Sequence, residues 1–225
     1  MNENGNTKEF LDSENFSLKN CPIYFVTDHQ FTRGRKQLDI IHAALKGGIK
    51  LIQFRDKELS DEDFTLEAKA ALELCHAYGA LMLLNDRLEI AKAINADGVH
   101  LGQDDFNPLE ARKILGKSAI IGFSTHNEKE VAAAQSLPID YINIGPMFGT
   151  ATKDHSQYPA LGLSEVARLA KTSNLPVTTM GGIKKRHLAE IYLAGLTCAA
   201  MVTEISMAED VEKTVKDLLA QFRQA

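Results

Sequence analysis

What this sequence lacks narrows the field first. It has no run approaching the roughly 18 apolar residues of a membrane span, and its start does not show the charged-then-apolar layout of a secretory leader. It has no excess of positive charge: 25 Lys and Arg stand against 30 Asp and Glu, for a net charge of −5. Nucleic acid is therefore not expected as the main partner, because phosphate backbones call for a basic surface. Only three cysteines are present, Cys21, Cys75 and Cys198, with no close pair among them. An odd count at these spacings excludes a disulfide frame or a cysteine zinc site and fits reduced thiols in a cytoplasmic protein. No glycine-rich fingerprint follows the first apolar run, where Thr27-Asp28-His29-Gln30 stands instead. That counts against a dinucleotide-binding open sheet.

What is present is a rhythm. Residues 1–20 are mostly Asn, Ser, Lys and acids and predict a flexible, polar N-terminal tail, partly docked by its phenylalanines. From Cys21 onward, short apolar runs alternate with amphipathic stretches. The runs are Ile23–Thr27, Leu51–Phe54, Leu81–Leu84, Gly98–Leu101, Ala119–Gly122, Tyr141–Ile144, Val177–Met180 and Ala199–Thr203. None alternates in and out, as expected of parallel strands buried on both faces. Between them, Phe64, Ala68, Ala71, Leu72 and Cys75 follow a helical period, as do Leu188, Ile191 and Tyr192, and then Val211, Thr214, Val215, Leu218, Leu219 and Phe222. Asp39 and Asp61 are candidate helix starts, and Gly47-Gly48 and Gly79 candidate ends. About eight strand–helix units predict a single (β/α)8 TIM barrel with short loops over residues 21–225. A doubly wound open sheet is the alternative.

In such a barrel the chemistry belongs to the loops after each strand. The second strand leads into Gln53-Phe54-Arg55-Asp56-Lys57, whose two cations can grip a polyanion or form an ordinary solvated run. Asn85-Asp86-Arg87 and Gly102-Gln103-Asp104-Asp105 follow the third and fourth strands. Their carboxylates can share a Mg²⁺, or they can cap the helices that follow. Ser124-Thr125-His126 suggests a nucleophile, but no partner carboxylate or elbow motif accompanies it, and His126 can equally orient a loop. Two hydroxyls and an ammonium in Thr150-Ala151-Thr152-Lys153, and the Gly181-Gly182 turn read as opening a helix, offer donors to a phosphate. Cations and acids thus collect on one side of the mouth and phosphate donors on the other. The layout suggests two anionic substrates, with a departing pyrophosphate neutralised beside Mg²⁺.

With these motifs in this order, the chain resembles the thiamine-phosphate synthase family, from Tyr24-Phe25-Val26-Thr27-Asp28 to the last helix. The resemblance implies a transferase that joins 4-amino-5-hydroxymethyl-2-methylpyrimidine diphosphate to 4-methyl-5-(2-hydroxyethyl)thiazole phosphate, releasing pyrophosphate. It implies that Gln53, Phe54, Arg55, Asp56, Lys57 and Asn85 hold the diphosphate substrate, and that Asp86 and Asp105 bind Mg²⁺ as cofactor. Ser124 would contact the pyrimidine. Thr150, Ala151, Thr152, Gly182, Val202 and Thr203 would hold the thiazole phosphate, and Lys153 would neutralise the leaving group. Lys153, Ser124 and Arg55 form the implied catalytic set. Small molecules are the expected partners, and a homo-oligomer is expected on the resemblance alone. Gly149, His187, Thr203 and Glu204 depart from the family pattern, all near the thiazole-phosphate pocket. The rival readings are a thiazole tautomerase, a non-catalytic thiazole-phosphate binding barrel of the same superfamily, and an unrelated phosphate-binding isomerase or lyase.

Overall fold

The computed structural model describes residues 16–149 and 158–224. Eight strands, β1 (Ile23–Val26), β2 (Leu51–Phe54), β3 (Leu81–Asn85), β4 (Gly98–Leu101), β5 (Ile120–Thr125), β6 (Tyr141–Ile144), β7 (Val177–Thr179) and β8 (Ala199–Met201), close into a barrel in sequence order. Every neighbouring pair is parallel, including β8 with β1. The expected TIM barrel is the fold. β5 runs three residues beyond its apolar segment, to Thr125, so Ser124 lies within a strand and not on a loop.

Two apolar layers hold the barrel. Tyr24, Val26, Leu51, Leu81, Leu83, Ile120, Tyr141, Cys198 and Ala200 fill its interior, joined at the entry end by Leu18 and Cys21. Leu18 belongs to a short 3-10 turn, Leu18–Asn20, and is 2% exposed. The end of the segment expected to be mobile is therefore docked, with the Phe16 ring 6.0 Å from that of Tyr141. Residues 1–15 lie outside the described part.

The other layer lies between barrel and helices. There α1 (Gln37–Gly47) and α2 (Asp61–Ala77) show how the sequence sets its boundaries. Ser60 caps α2, its Oγ accepting from Asp63 N at 3.1 Å, and three acids in the first turn face the positive helix end. Asp61 is thus the first residue inside the helix, not its cap. Phe64, Ala68, Ala71, Leu72 and Cys75 are buried as their spacing requires, and Phe64 meets Phe54 edge-on at 5.1 Å. α1 ends at Gly48, whose φ of 105° suits glycine. Its first turn contains Asp39, but no side chain caps it. The smaller helices are α3 (Leu88–Ile94), α4 (Pro108–Leu115), α5 (Glu128–Ala134), α6 (Leu163–Ala170), α7 (Leu188–Leu193) and α8 (Thr203–Ser206). The last, α9 (Val211–Gln224), buries Val211, Val215, Leu218 and Phe222. In α7 the expected stripe is only partly buried: Leu188 and Ile191 are covered, while Tyr192 is 42% exposed.

Candidate active site

At the ends of β2, β3 and β4 a cleft of about 650 Å³ opens, lined among others by Lys57, Asn85, Asp86 and Asp105. None of its acids serves as a helix cap. α3 starts after Arg87 with no side-chain cap, and the Asp86 carboxylate instead accepts from Lys57 Nζ and Asn85 Nδ2. α4 is capped by Asn107, whose Oδ1 accepts from Leu109 N at 2.8 Å. Asp105 turns back to accept from Gly102 N at 2.6 Å and comes within hydrogen-bonding reach of Asp86. Burial, and after it the neighbouring Asp86, pushes the Asp105 carboxyl above the ordinary range. Two carboxylates brought together in this way carry charge that a cation would relieve.

Arg55 and Lys57 do not point the same way. Arg55 reaches toward β1 and pairs with Asp28, while Lys57 reaches toward β3 and pairs with Asp86. Arg55 is anchored further through Thr27, whose Oγ1 donates to Arg55 O at 3.1 Å and accepts from Arg55 N at 2.9 Å. Burial pushes the Asp28 carboxyl up, against the opposing pull of Arg55. Asp56 lies between them but is 3% exposed. Its oxygens accept from Gln37 Nε2 at 2.7 Å and from Glu58 N and Leu59 N at 2.9 and 3.1 Å. Phe54 is wholly buried against the helix layer. Phe54 braces the loop from the helix side, while Asp56, tied back to Gln37 and the Glu58 and Leu59 amides, lines the cleft beside Lys57. Arg87 is also committed to structure: it pairs with Asp61, donates to Leu59 O and covers the Phe64 ring at 4.8 Å.

Across the barrel interior runs a line of polar side chains that the apolar pattern conceals. Gln53 Nε2 donates to Tyr24 OH at 2.8 Å, and Tyr24 OH meets Tyr141 OH at 3.0 Å. Tyr141 OH meets His100 Nδ1 at 2.9 Å, and His100 Nε2 meets Ser124 Oγ at 2.9 Å. Strand register accounts for part of this, since Asn85, His100, Gly122 and Tyr141 are direct neighbours from β3 to β6. Gly122 is required here: a Cβ on it would lie 2.1 Å from Tyr141 Cζ and 2.5 Å from His100 Nδ1. Sequence reasoning assigned no role to Tyr24, His100 or Tyr141. The available signal was the hydrogen-bonding side chain set into an otherwise apolar run: Tyr24 in β1, His100 in β4, and Tyr141 beside Asn143 in β6. His126 is held in place by a partner carboxylate that the sequence did not show: Glu130 accepts from its backbone N and meets its Nδ1, both at 2.8 Å, and Asn127 caps α5.

On the opposite side, the loops after β6 and β7 are joined backbone to backbone. Met147 N donates to Met180 O at 2.7 Å, and Phe148 N to Gly181 O at 2.9 Å. Gly181 and Gly182 both take positive φ, and a Cβ on Gly182 would come 2.3 Å from Gly149 O. The glycine pair does not open a helix, as the sequence suggested. A 3-10 turn, Lys185–His187, intervenes before the short α7. Val202 precedes α8, whose first residue is Thr203. Thr203 Oγ1 accepts from Lys184 Nζ at 3.1 Å. Glu204, the acid out of place in a phosphate site, is occupied by Lys184 Nζ at 3.3 Å and Lys185 N at 3.0 Å. His187 packs against Phe148 at a tilt of 41°, with ring centroids 4.3 Å apart, and its Nδ1 accepts from Lys184 N. Thr150, Ala151, Thr152 and Lys153 lie outside the described residues.

Comparison with known proteins agrees with this architecture. A family model described as thiamine monophosphate synthase matches residues 23–205. The thiamine-phosphate synthase of Caldicellulosiruptor saccharolyticus is 38% identical over 211 residues, covering 92% of this chain and 95% of the relative. That of Fusobacterium nucleatum is 37% identical over 205 residues, covering 91% and 98%. Among solved structures, a thiamine phosphate pyrophosphorylase from Pyrococcus furiosus has a TM-score of 0.83 at 28% identity, covering 92% of this chain and 98% of that one. Among the described residues, no helix is long and apolar enough to cross a membrane. A barrel of this topology, matched over most of its length, is an enzyme of the transferase class, and the chain belongs to the thiamine monophosphate synthase family.

Proposed function

We propose that this enzyme makes thiamine phosphate by joining 4-amino-5-hydroxymethyl-2-methylpyrimidine diphosphate to 4-methyl-5-(2-hydroxyethyl)thiazole phosphate. The observation that carries the reading is the group formed by Lys57, Asn85, Asp86 and Asp105 over one cleft, a diphosphate grip that a phosphate-only isomerase does not need. The reaction breaks the bond between the pyrimidine methylene and the diphosphate oxygen, with both electrons leaving on pyrophosphate. The thiazole nitrogen then supplies the pair for the new carbon–nitrogen bond. No strong base is required by this step. The demand is for orientation and for neutralising charge as it develops.

Asp86 and Asp105 fit Mg²⁺, which takes one or two carboxylates and completes its shell with water and substrate phosphate. Among the described residues no group of three or more His, Cys, Asp or Glu could hold a metal, so the donor set suits a shared site better than an all-protein cage. Bound there, the ion would neutralise charge on the diphosphate. Lys57 and Asn85 exchange their Asp86 contacts for phosphate oxygens, and Arg55, held by Asp28 and Thr27, supplies a fixed cation. Gln53 and Ser124 meet the pyrimidine. Gly182, Val202 and Thr203, with Thr150 to Thr152, receive the thiazole phosphate, and Lys153 serves the leaving group.

The test supplies both substrates and reads thiamine phosphate by conversion to a fluorescent thiochrome, first with Mg²⁺ and then with a chelator. Product that disappears with the chelator and returns on adding Mg²⁺ is expected. No product, with thiazole phosphate still bound, would favour the tautomerase or binding-protein readings.

A further inference from the structure

We infer that the buried line from Gln53 to Ser124 has a fixed direction, sets the tautomer of His100, and thereby makes Ser124 a hydrogen-bond donor and Gln53 an acceptor toward the substrate. The direction originates at the amide. Gln53 Nε2 can only donate, and it donates to Tyr24 OH at 2.8 Å. The Tyr24 hydrogen then goes to its other partner, Tyr141 OH at 3.0 Å, and the Tyr141 hydrogen to His100 Nδ1 at 2.9 Å. An imidazole that accepts at Nδ1 carries its proton on Nε2. His100 therefore donates to Ser124 Oγ at 2.9 Å, and the serine hydrogen is free to turn to a ligand.

The surroundings preserve this order. Tyr24 and Tyr141 are 1% and 0% exposed, and burial raises the pKa of both phenols, so each keeps the one proton that the line requires. Gly122 leaves the space in which Tyr141 and His100 meet, and Phe16 backs the Tyr141 ring. His100 and Tyr141 are positioning residues that act through Ser124, and Tyr24 acts through them.

The chemical consequence rests on the proposed function, in which Gln53 and Ser124 face the pyrimidine. One end of the line offers a carbonyl oxygen and the other a hydroxyl hydrogen. A 4-aminopyrimidine has the matching groups, an exocyclic amine that donates and ring nitrogens that accept. A 4-oxopyrimidine places a carbonyl and an N–H where these are wanted, and meets an acceptor with an acceptor. Sites that pair every polar atom reject such analogues strongly, because the mismatch leaves buried groups unsatisfied. The line is thus a specificity device for the amino form.

The test uses the full chain with ¹⁵N-labelled histidine and long-range proton–nitrogen correlation, with His100 assigned by its loss in His100→Gln. The expected spectrum shows the Nε2–H tautomer; an Nδ1–H tautomer or a doubly protonated ring overturns the direction. The second readout is competitive inhibition by 4-amino-2,5-dimethylpyrimidine against its 4-oxo counterpart. The amino compound is expected to win by at least about 10-fold in the wild type, and Tyr141→Phe to lose most of that margin while inorganic pyrophosphate inhibits as before. An amino preference untouched by Tyr141→Phe overturns the positioning role. The expected tautomer in a protein that makes no thiamine phosphate leaves the direction standing and removes the substrate assignment.

Discussion

Lys57 and Asp86, 29 residues apart in the chain, form an ion pair that ties the end of β2 to the end of β3. The lysine is half exposed, so the pair adds under about 1 kcal/mol to stability. In the proposed function it places a cation and a carboxylate where the diphosphate and its ion would arrive. Asp86→Asn is therefore expected to lower kcat/KM by about 10²–10³-fold, the scale of losing one preorganised electrostatic contact, with little change in melting temperature. Steady-state kinetics beside thermal denaturation would check it. Near-normal turnover in both Asp86→Asn and Asp105→Asn would remove the metal assignment.

Gly182→Ala forces a Cβ to within 2.3 Å of Gly149 O at a residue whose φ is 59°. Left-handed strain and the close contact together should cost about 1–3 kcal/mol. In the proposed function the displaced turn raises KM for the thiazole phosphate by about 10-fold and leaves KM for the pyrimidine diphosphate nearly unchanged. Separate titrations of the two substrates distinguish this from general damage.

Leu18→Ala opens the entry end of the barrel, where the side chain is buried beside Cys21 and the interior cluster. A loss of about 2–5 kcal/mol in urea unfolding is expected, as for other buried leucines. A change under 0.5 kcal/mol, the scale of ordinary surface substitutions, would show that the segment before β1 is not part of the folded unit.

His76 supplies a pH-dependent contribution. Its Nε2 lies 3.0 Å from Asp97 Oδ1, and this hydrogen bond raises the imidazole pKa above 6.5, with burial opposing. A raised folded-state pKa means that the stabilisation is complete below the unfolded value of 6.5 and is lost as pH rises through the folded one. The melting-temperature gap between wild type and His76→Gln should be widest near pH 5.5 and narrow toward pH 8.5. A gap that widens with pH would contradict the assignment.

The barrel was legible because parallel strands buried on both faces are apolar without alternation, and the helices between them keep their period. The stripe of α2 shows this, from Phe64 to Cys75. The cleft was legible as composition, in that Lys57, Asn85, Asp86 and Asp105 were all singled out. Its geometry was not. Whether an aspartate caps a helix or faces a neighbouring loop depends on where the helix begins, and that was decided by Asn107 and by the unaided start of α3. The inward polar line escaped notice because hydrophobicity averages over a strand, while Tyr24, His100 and Tyr141 act through partners on other strands. Glu204 looked unfavourable in one dimension and is answered in three by Lys184 and the Lys185 amide.

The backbone bonds between Met147 and Met180 and between Phe148 and Gly181 have a thermodynamic meaning. They fasten the turn proposed to receive one substrate to the start of the segment that carries Lys153, proposed to serve the other. The loop as far as Phe148 and the turn that begins at Gly181 are thus held as one unit. Under the proposed function, any affinity that the thiazole phosphate confers on the pyrimidine diphosphate through this joint must be returned in equal measure.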